Sequence, residues 1–297
     1  SAFNKMFALD PATGKVKWTY DPAVDHLKES IMNCRGVSSW KSPVPTGASC
    51  HHRMVTGTLD GRLVAVDARD GKPCADFGDN GQVSLREGLG EFAEQEYSVT
   101  SPPAILGDRI ITGAMVLDRT HNHMPSGVVR AYNVRTGALE WFWDPIPPGQ
   151  QPQFDAEGKP VFRRGTTNVW SVISVDPERN LVFLPTGNTS TDFFGGLRDN
   201  MDYYSSSVVA LKGDTGEVDW HFQMVHHDIW DYDTPAQPTL FELERDGRRI
   251  PALAQPTKMG HLFILNRETG EPLFPVEERP VSQDWEVPGE YLAPTQP

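Results

Sequence analysis

The sequence predicts an all-β fold, a β-propeller, from a repeat, a composition and a missing period. Five times a short apolar strand runs into an Asp/Asn-rich turn, then Thr-Gly or Asp-Gly, then further apolar residues. The copies are ALDPATGKVKW from Ala8, AVDARDGKPC from Ala65, AYNVRTGALEW from Ala131, ALKGDTGEVDW from Ala210 and ILNRETGEPLF from Ile264. Recurrence at roughly 55–80 residues marks repeated supersecondary units, as in solenoids and propellers. Within each copy the alternating strand, the glycine turn and the second strand form a hairpin. The 26 glycines and 25 prolines among 297 residues suit many short strands joined by turns. No long stretch keeps a helical period.

Taken in order, the clearest hairpin is RMVTGTLDGRLVAVDARDG, with Asp60-Gly61 as its tight turn. A polar, glycine-rich excursion from Lys72 to about Tyr97 is too long for a hairpin loop and reads as a functional insertion. SPPAILGDRIITGAM and GVVRAYNVRTGALEWFW supply the next unit, and DPIPPGQQPQFDAEGKPVFRRG is a proline-rich surface crossing. NVWSVISVDPERNLVFLPTG with SSVVALKGDTGEVDWHFQ builds another. A last unit opens at ALAQPTKMGHLFILNRETG and dissolves into PVEERPVSQDWEVPGEYLAPTQP. The expectation is one partial propeller domain over 1–297, of roughly four to five blade-sized units. The first strand begins almost at residue 1 and the end is a proline-rich loop, which predicts an arc cut from a larger ring.

A net charge of −13 argues against a nucleic-acid partner, and no basic stripe suits a membrane surface. No apolar run approaches the ~20 residues that cross a bilayer. Three cysteines are too few for a disulfide scaffold and lack zinc spacing. Cys50 and Cys74 flank one hairpin and would close that blade in an oxidising compartment; as strand-end thiols they are equally unremarkable.

The most loaded segment is VHHDIWDYDTPAQPTL, with His226, His227, Asp228, Asp231 and Asp233 around Trp230. A polar cluster just after a repeat strand belongs at the mouth of a propeller channel, where strand ends converge. Lys258 follows, just before the next apolar strand. A carboxylate paired with a cation across neighbouring units would tune a general base or bind an anionic cofactor. By composition alone the cluster also suits an ordinary hydrogen-bonded turn with Lys258 in solvent. Zinc at His226-His227 is disfavoured, because strand neighbours point to opposite faces.

The repeats, together with NCRGVSSW, TSPPAILGDRIITGA, PSGVVRAYN, NVWSVISVD, PTGNTS, HHDIWDYDTPAQPTL and PTKMGHLFILNRETG, resemble the quinoprotein dehydrogenases in the family's order over nearly the whole chain. The branch they look most like is the membrane-bound glucose and quinate/shikimate dehydrogenases, which hold pyrroloquinoline quinone (PQQ) in an eight-bladed propeller. The resemblance implies that Asp231 is the base taking the substrate's hydroxyl proton and that Lys258 contacts the quinone oxygens. It implies that Arg35 and Thr100 bind the cofactor, that Trp170 stacks against it, and that Asp118, Asn188 and Ser190 (or Thr189) hold a metal. PQQ is a planar tricarboxylate, so an aromatic platform and cations suit it. Oxygen ligands suit Ca2+ or Mg2+, acting as a Lewis acid on the carbonyl that accepts hydride. The implied partners are a sugar or polyol substrate and ubiquinone or another quinone. The implied place is the periplasmic face of the inner membrane, reached through parts outside this chain.

Departures from the family pattern refine the expectation. Asn33-Cys34 replaces the adjacent cysteines of the alcohol-dehydrogenase branch, and that branch has arginine where Lys258 stands. Ile31 stands where the glucose branch has histidine, which argues against glucose. Arg119 stands where that branch has asparagine, and a carboxylated polyol such as quinate or shikimate would welcome its charge. His121 and His123 read as loop residues. The rivals are a soluble PQQ alcohol dehydrogenase and a non-catalytic envelope scaffold of the same repeat, which would have no reason to keep Asp231, Lys258, Asp118, Asn188 and Trp170 together.

Overall fold

The computed structural model describes residues 1, 3–28, 31–44 and 47–297. Three four-stranded antiparallel meanders follow one another. The first runs Ser38–Lys41, His52–Gly57, Arg62–Asp67 and Gln82–Ser84; the second Ala104–Leu106, Arg109–Thr112, Val129–Asn133 and Leu139–Trp143; the third Ser174–Asp176, Leu181–Pro185, Ser207–Lys212 and Val218–Gln223. A three-stranded sheet, Thr239–Arg245, Arg248–Pro256 and Leu262–Asn266, comes last, and a hairpin of Met6–Leu9 with Val16–Tyr20 comes first. Among the described residues the only helical turns are His26–Lys28 and Glu94–Glu96.

The core lies between sheets, because central strands are apolar on both faces. In Leu181–Pro185 every residue is buried. Leu181 and Phe183 pack toward the last sheet with Val208, Leu253 and Phe263, while Val182 and Leu184 pack back toward Ile111 and Val129. That is the period-two alternation of a strand serving two cores at once. Arg62–Asp67 does the same, with Leu63 and Ala65 facing one neighbour and Val64 and Val66 the N-terminal hairpin.

The five sequence repeats are the joints between these units. In each, the turn glycine donates to the carbonyl four residues earlier: Gly14 to Asp10, Gly71 to Asp67, Gly137 to Asn133, Gly216 to Lys212 and Gly270 to Asn266, at 2.8–2.9 Å. The tryptophan of one copy then caps the turn of the next. Trp18 Nε1 donates to Ala68 O, Trp141 Nε1 to Gly213 O and Trp220 Nε1 to Arg267 O, each at 3.0 Å. Gly216 shows why glycine is required. Its φ is +73°, and a Cβ would lie 2.5 Å from the Trp141 ring.

One joint is built differently. The second copy lacks the tryptophan, and there Arg53 Nη1 donates to Arg135 O (3.1 Å) while Gly78 N donates to Thr136 O (2.9 Å). Arg53 is 3 % exposed and its Nε bonds Cys50 O, and Cys50 is joined to Cys74 by a disulfide.

Three expectations need correction. The excursion from Lys72 to Tyr97 is not wholly an insertion: it carries the fourth strand of its sheet, Gln82–Ser84 paired with Arg62–Val64. The proline-rich crossing contains a small hairpin, Gln153–Phe154 with Pro160–Val161. The C-terminal tail does not simply dissolve, since Arg279–Pro280 pairs with Thr295–Gln296. In all three, backbone pairing over two or three residues is too brief for a sequence period to reveal.

Meander geometry gives each sheet two unlike ends. The turn between third and fourth strands, where the repeats sit, lies at one end. The lead-in to the first strand and the loop between second and third strands lie together at the other.

Candidate active site

That second end forms a cleft of about 390 Å3 lined by Ile31, Arg35, Thr100, Met115, Leu117, Asp118, Arg119, Trp170, Asp231, Asp233 and Lys258. Arg35, Thr100, Trp170 and the Asp231–Asp233 segment occupy lead-ins to the four successive sheets, whereas Asp118 and Lys258 sit in second-to-third-strand loops. Hydroxyls stitch neighbouring lead-ins together. Ser38 Oγ donates to Pro103 O, Ser101 Oγ to Trp170 O (2.6 Å), Ser171 Oγ to Pro235 O (2.6 Å) and Ser174 Oγ to Pro238 O (2.5 Å). Residues about 65 apart in sequence are thereby held side by side.

Six of the expected site residues share this cleft. Arg35 N and Nη1 donate to Thr100 O (3.0 and 3.3 Å), and the Arg35 guanidinium lies 5.0 Å from the centre of the Trp170 ring. Thr100 Oγ1 donates to Trp170 O (3.2 Å). Lys258 Nζ donates to Asp231 O (2.7 Å), Asp231 Oδ1 (3.1 Å) and Asp233 Oδ2 (3.3 Å). Burial opposes the lysine's charge, but Asp233 and Asp231 outweigh it and raise its pKa. Asp231 adopts φ +62°, an uncommon left-handed conformation for a residue other than glycine, of the kind that collects at functional sites.

Asn188 and Ser190 do not line the cleft; both are buried behind it. Asn188 N donates to Asp233 Oδ1, and its Nδ2 donates to Asp192 O and Asp228 O, both at 3.1 Å. Thr189, the alternative to Ser190, is fully buried and its Oγ1 donates to Met201 O (3.3 Å).

Sequence reasoning missed two acids. Asp233, noted in the cluster without a role, joins the lead-in to the platform: its Oδ2 accepts from Trp170 Nε1 at 3.2 Å. Burial pushes it up to about 7, although Lys258 and the Asn188 N–H oppose that. Asp192, four residues after Asn188, is 1 % exposed, and among the described residues no N–H or hydroxyl reaches either of its oxygens. Burial, then the charges of Asp118, Asp231 and Asp233, push it up to about 8. Asp118 is raised as well, by burial first. The only weak signal for Asp192 in the sequence is an acid closing a run of small polar residues, PTGNTSTD.

The histidines serve elsewhere. His226 bonds Gln223 Oε1 (3.0 Å) and Glu278 Oε1 (3.1 Å); His227 sits between Asp202 Oδ2 and Glu290 Oε1, both 2.8 Å, with Tyr291 stacked 3.6 Å away. They clasp the C-terminal segment beneath the cleft. His121 bonds Glu96 Oε1 at 3.1 Å and neither it nor His123 reaches the cleft.

The family described as "PQQ: Glucose/ethanol/alcohol dehydrogenase, beta-propeller domain" matches residues 1–297. The chain belongs to that family. It is 42 % identical to the glycerol dehydrogenase large subunit of Gluconobacter thailandicus, over all of this chain and 40 % of that protein. It is 40 % identical to the quinate/shikimate dehydrogenase (quinone) of Acinetobacter baylyi, over 99 % of this chain and 38 % of that protein. Among solved structures it is similar to the quinohemoprotein alcohol dehydrogenase ADHIIG of Pseudomonas putida, at a TM-score of 0.73 and 28 % identity, covering 92 % of this chain and 39 % of that one. The all-β propeller architecture expected from the repeats is thus the family's own. The chain spans about two fifths of the curated relatives it matches.

The cleft suits the family's cofactor. A ring face, three cations and a hydroxyl surround a volume fit for a planar polyanion. Behind it, Asp192, which no N–H or hydroxyl of the described residues reaches, hydrogen-bonds the Asp118 carboxyl, and a cation would replace the proton the two acids share.

Proposed function

We propose that this chain is the PQQ- and substrate-holding arc of a dehydrogenase that oxidises a hydroxyl of a sugar or cyclic polyol. The convergence of Arg35, Thr100, Asp118, Trp170, Asp231 and Lys258 on one cleft, from four separate sheets, carries this reading. PQQ, bound with Ca2+ or Mg2+, would supply the electron sink for hydride transfer from a carbinol carbon. Trp170 and Arg35 would hold its ring and carboxylates, and Thr100 fixes their lead-ins. Asp118 and Asn188, with Ser190, would hold the cation.

Asp231 takes the hydroxyl proton. Lys258 bonds its Oδ1 and its main-chain carbonyl together, which fixes the carboxylate toward the cleft while presenting positive charge to the cofactor's oxygens. Removing a general base typically slows turnover by about 10²–10⁴-fold. We therefore expect Asp231→Asn, in the full-length protein, to lose turnover on that scale while retaining PQQ by absorbance titration. Near-normal turnover would rule Asp231 out as the base.

Arg119, with its side chain 70 % exposed, and Ile31 both face the cleft. They favour a carboxylated polyol of the quinate or shikimate kind, and a relative bearing that name supports the choice. The relative's name also specifies a quinone, which we carry over as the electron acceptor. No helix among the described residues is long and apolar enough to cross a membrane. The Cys50–Cys74 disulfide supports an oxidising, periplasmic setting.

A further inference from the structure

Asp192 is the buried carboxylate that nothing in the fold accounts for. Its side chain is buried, and its main-chain N–H donates to Asp118 O at 3.2 Å. Its carboxylate faces that of Asp118. No N–H or hydroxyl of the described residues donates to either oxygen, and the hydrogen bond Asp192 does make is to the Asp118 carboxyl, which requires a proton shared between the two acids. Arg119 is the cation beside the pair, its Nε 3.9 Å from both Asp118 Oδ1 and Asp192 Oδ2, too far for a hydrogen bond and on a largely exposed side chain. Arg198 bonds the Asp192 main-chain carbonyl at 3.2 Å and spends its charge toward Asp202. A second buried oxygen without a donor, Asn168 Oδ1, flanks Gly187 together with Asp233 Oδ1.

Two carboxyls set against each other, one of them Asp192 with no N–H or hydroxyl donor, must share a proton or hold a cation between them. A structural aspartate would show the opposite pattern. Asp228 is such a case: buried like Asp192, it accepts from Ser206 Oγ (2.7 Å), Trp230 N (2.9 Å) and Tyr232 N (2.8 Å).

We propose that Asp192 is a second protein carboxylate on the cation assigned above to Asp118 and Asn188. This rests on the reading of Asp118 as a metal ligand. The ligand chemistry is all-oxygen, which selects a hard cation of the Ca2+ kind. Ligand charge sets affinity at such sites, so the second carboxylate tightens cation binding and lets the cation stay when the cofactor leaves.

Calcium titration of the metal-stripped, full-length protein by calorimetry, without PQQ, tests this. Asp192→Asn keeps the shape and loses one ligand charge, so affinity is expected to fall at least about tenfold. Because no N–H or hydroxyl of the described residues donates to Asp192, and an asparagine amide can still donate to the Asp118 carboxylate, the variant's melting temperature in EDTA is expected to match or exceed that of the wild type. An unchanged calcium affinity in Asp192→Asn, with a fall in Asp118→Asn, overturns the role of Asp192 and leaves the site reading intact. Unchanged affinity in both overturns the site reading too. A crystal structure of the calcium-loaded wild type decides independently of any variant's folding. An Asp192 oxygen at about 2.3–2.6 Å from the ion supports the proposal, and one held beyond the coordination shell refutes it.

Discussion

The two ends of these sheets are made by the same strands and obey opposite rules. At the repeat end the turns are alike: a glycine closes each, and in the four after the first an indole or a guanidinium from the preceding unit satisfies a turn carbonyl. At the cleft end no two loops match in length or content, and one buried acid, Asp192, is reached by no N–H or hydroxyl of the described residues. Hydrogen-bonded, closely packed joints store stability, while acids with raised pKa values are gathered where a ligand will meet them. The repeat end holds the arc together. The cleft end is where it spends that stability.

The same substitution at both ends breaks or sharpens this contrast most strongly. Trp220→Ala removes a buried ring and the bond to Arg267 O, and should cost about 3–5 kcal/mol in denaturant unfolding. Trp170→Ala, at a partly exposed ring, should cost only its hydrogen bond to Asp233, about 1–2 kcal/mol, while weakening PQQ binding. Equal losses of stability would erase the distinction between the ends.

A smaller effect separates the joints themselves. The odd joint replaces an indole by Arg53, anchored through Cys50 to the disulfide. Cys50→Ala should cost about 3 kcal/mol, the chain-entropy value for a loop of this size. Calcium affinity should stay unchanged, because the disulfide lies at the repeat end. A change in calcium affinity would show that the ends communicate.

The smallest expected effect is the pH response of the clasp under the cleft. Burial opposes a charge on His227, but Asp202 and Glu290 outweigh it and raise its pKa above the ordinary 6.5, with Arg198 working against them. Its contribution is complete below pH 6.5 and is lost as pH rises through the raised value. Burial works against Asp202 and Glu290 too, yet the bonds to His227 hold both below their ordinary 3.8 and 4.5. Their contributions are present above those values and fade as pH falls through the lowered ones. The clasp should therefore be firmest between about pH 4.5 and 6.5. Hydrogen exchange at Gly195, whose N–H bonds Glu290, should speed above pH 6.5 beyond the intrinsic rate, and His227→Gln should flatten that response. An identical pH profile in the variant would detach His227 from the clasp.

Much of this was legible in the chain. The glycine of each repeat announces its turn because few other residues tolerate the positive φ, and Trp18, Trp141 and Trp220 recur at one offset from it. Asp231 and Lys258 stood out as a carboxylate and a cation across neighbouring units, but Arg35, Thr100, Asp118 and Trp170 were named through the resemblance, since no spacing in the sequence links residues so far apart. Asp192 escaped both routes. Its importance lies in the donors it lacks, and a missing partner leaves no trace in sequence.

The sequence by itself determined the units and their joints: alternation of apolar residues sets the strands, and turn chemistry sets where they fold back. These are local effects, decided within about ten residues. Tertiary structure alone decided which distant lead-ins lie side by side, which histidines clasp the C-terminal segment, and which carboxylates are buried facing each other. Those outcomes depend on the distance and burial of charges from different sheets, and the energy of a charge is set by its surroundings rather than by its neighbours in the chain.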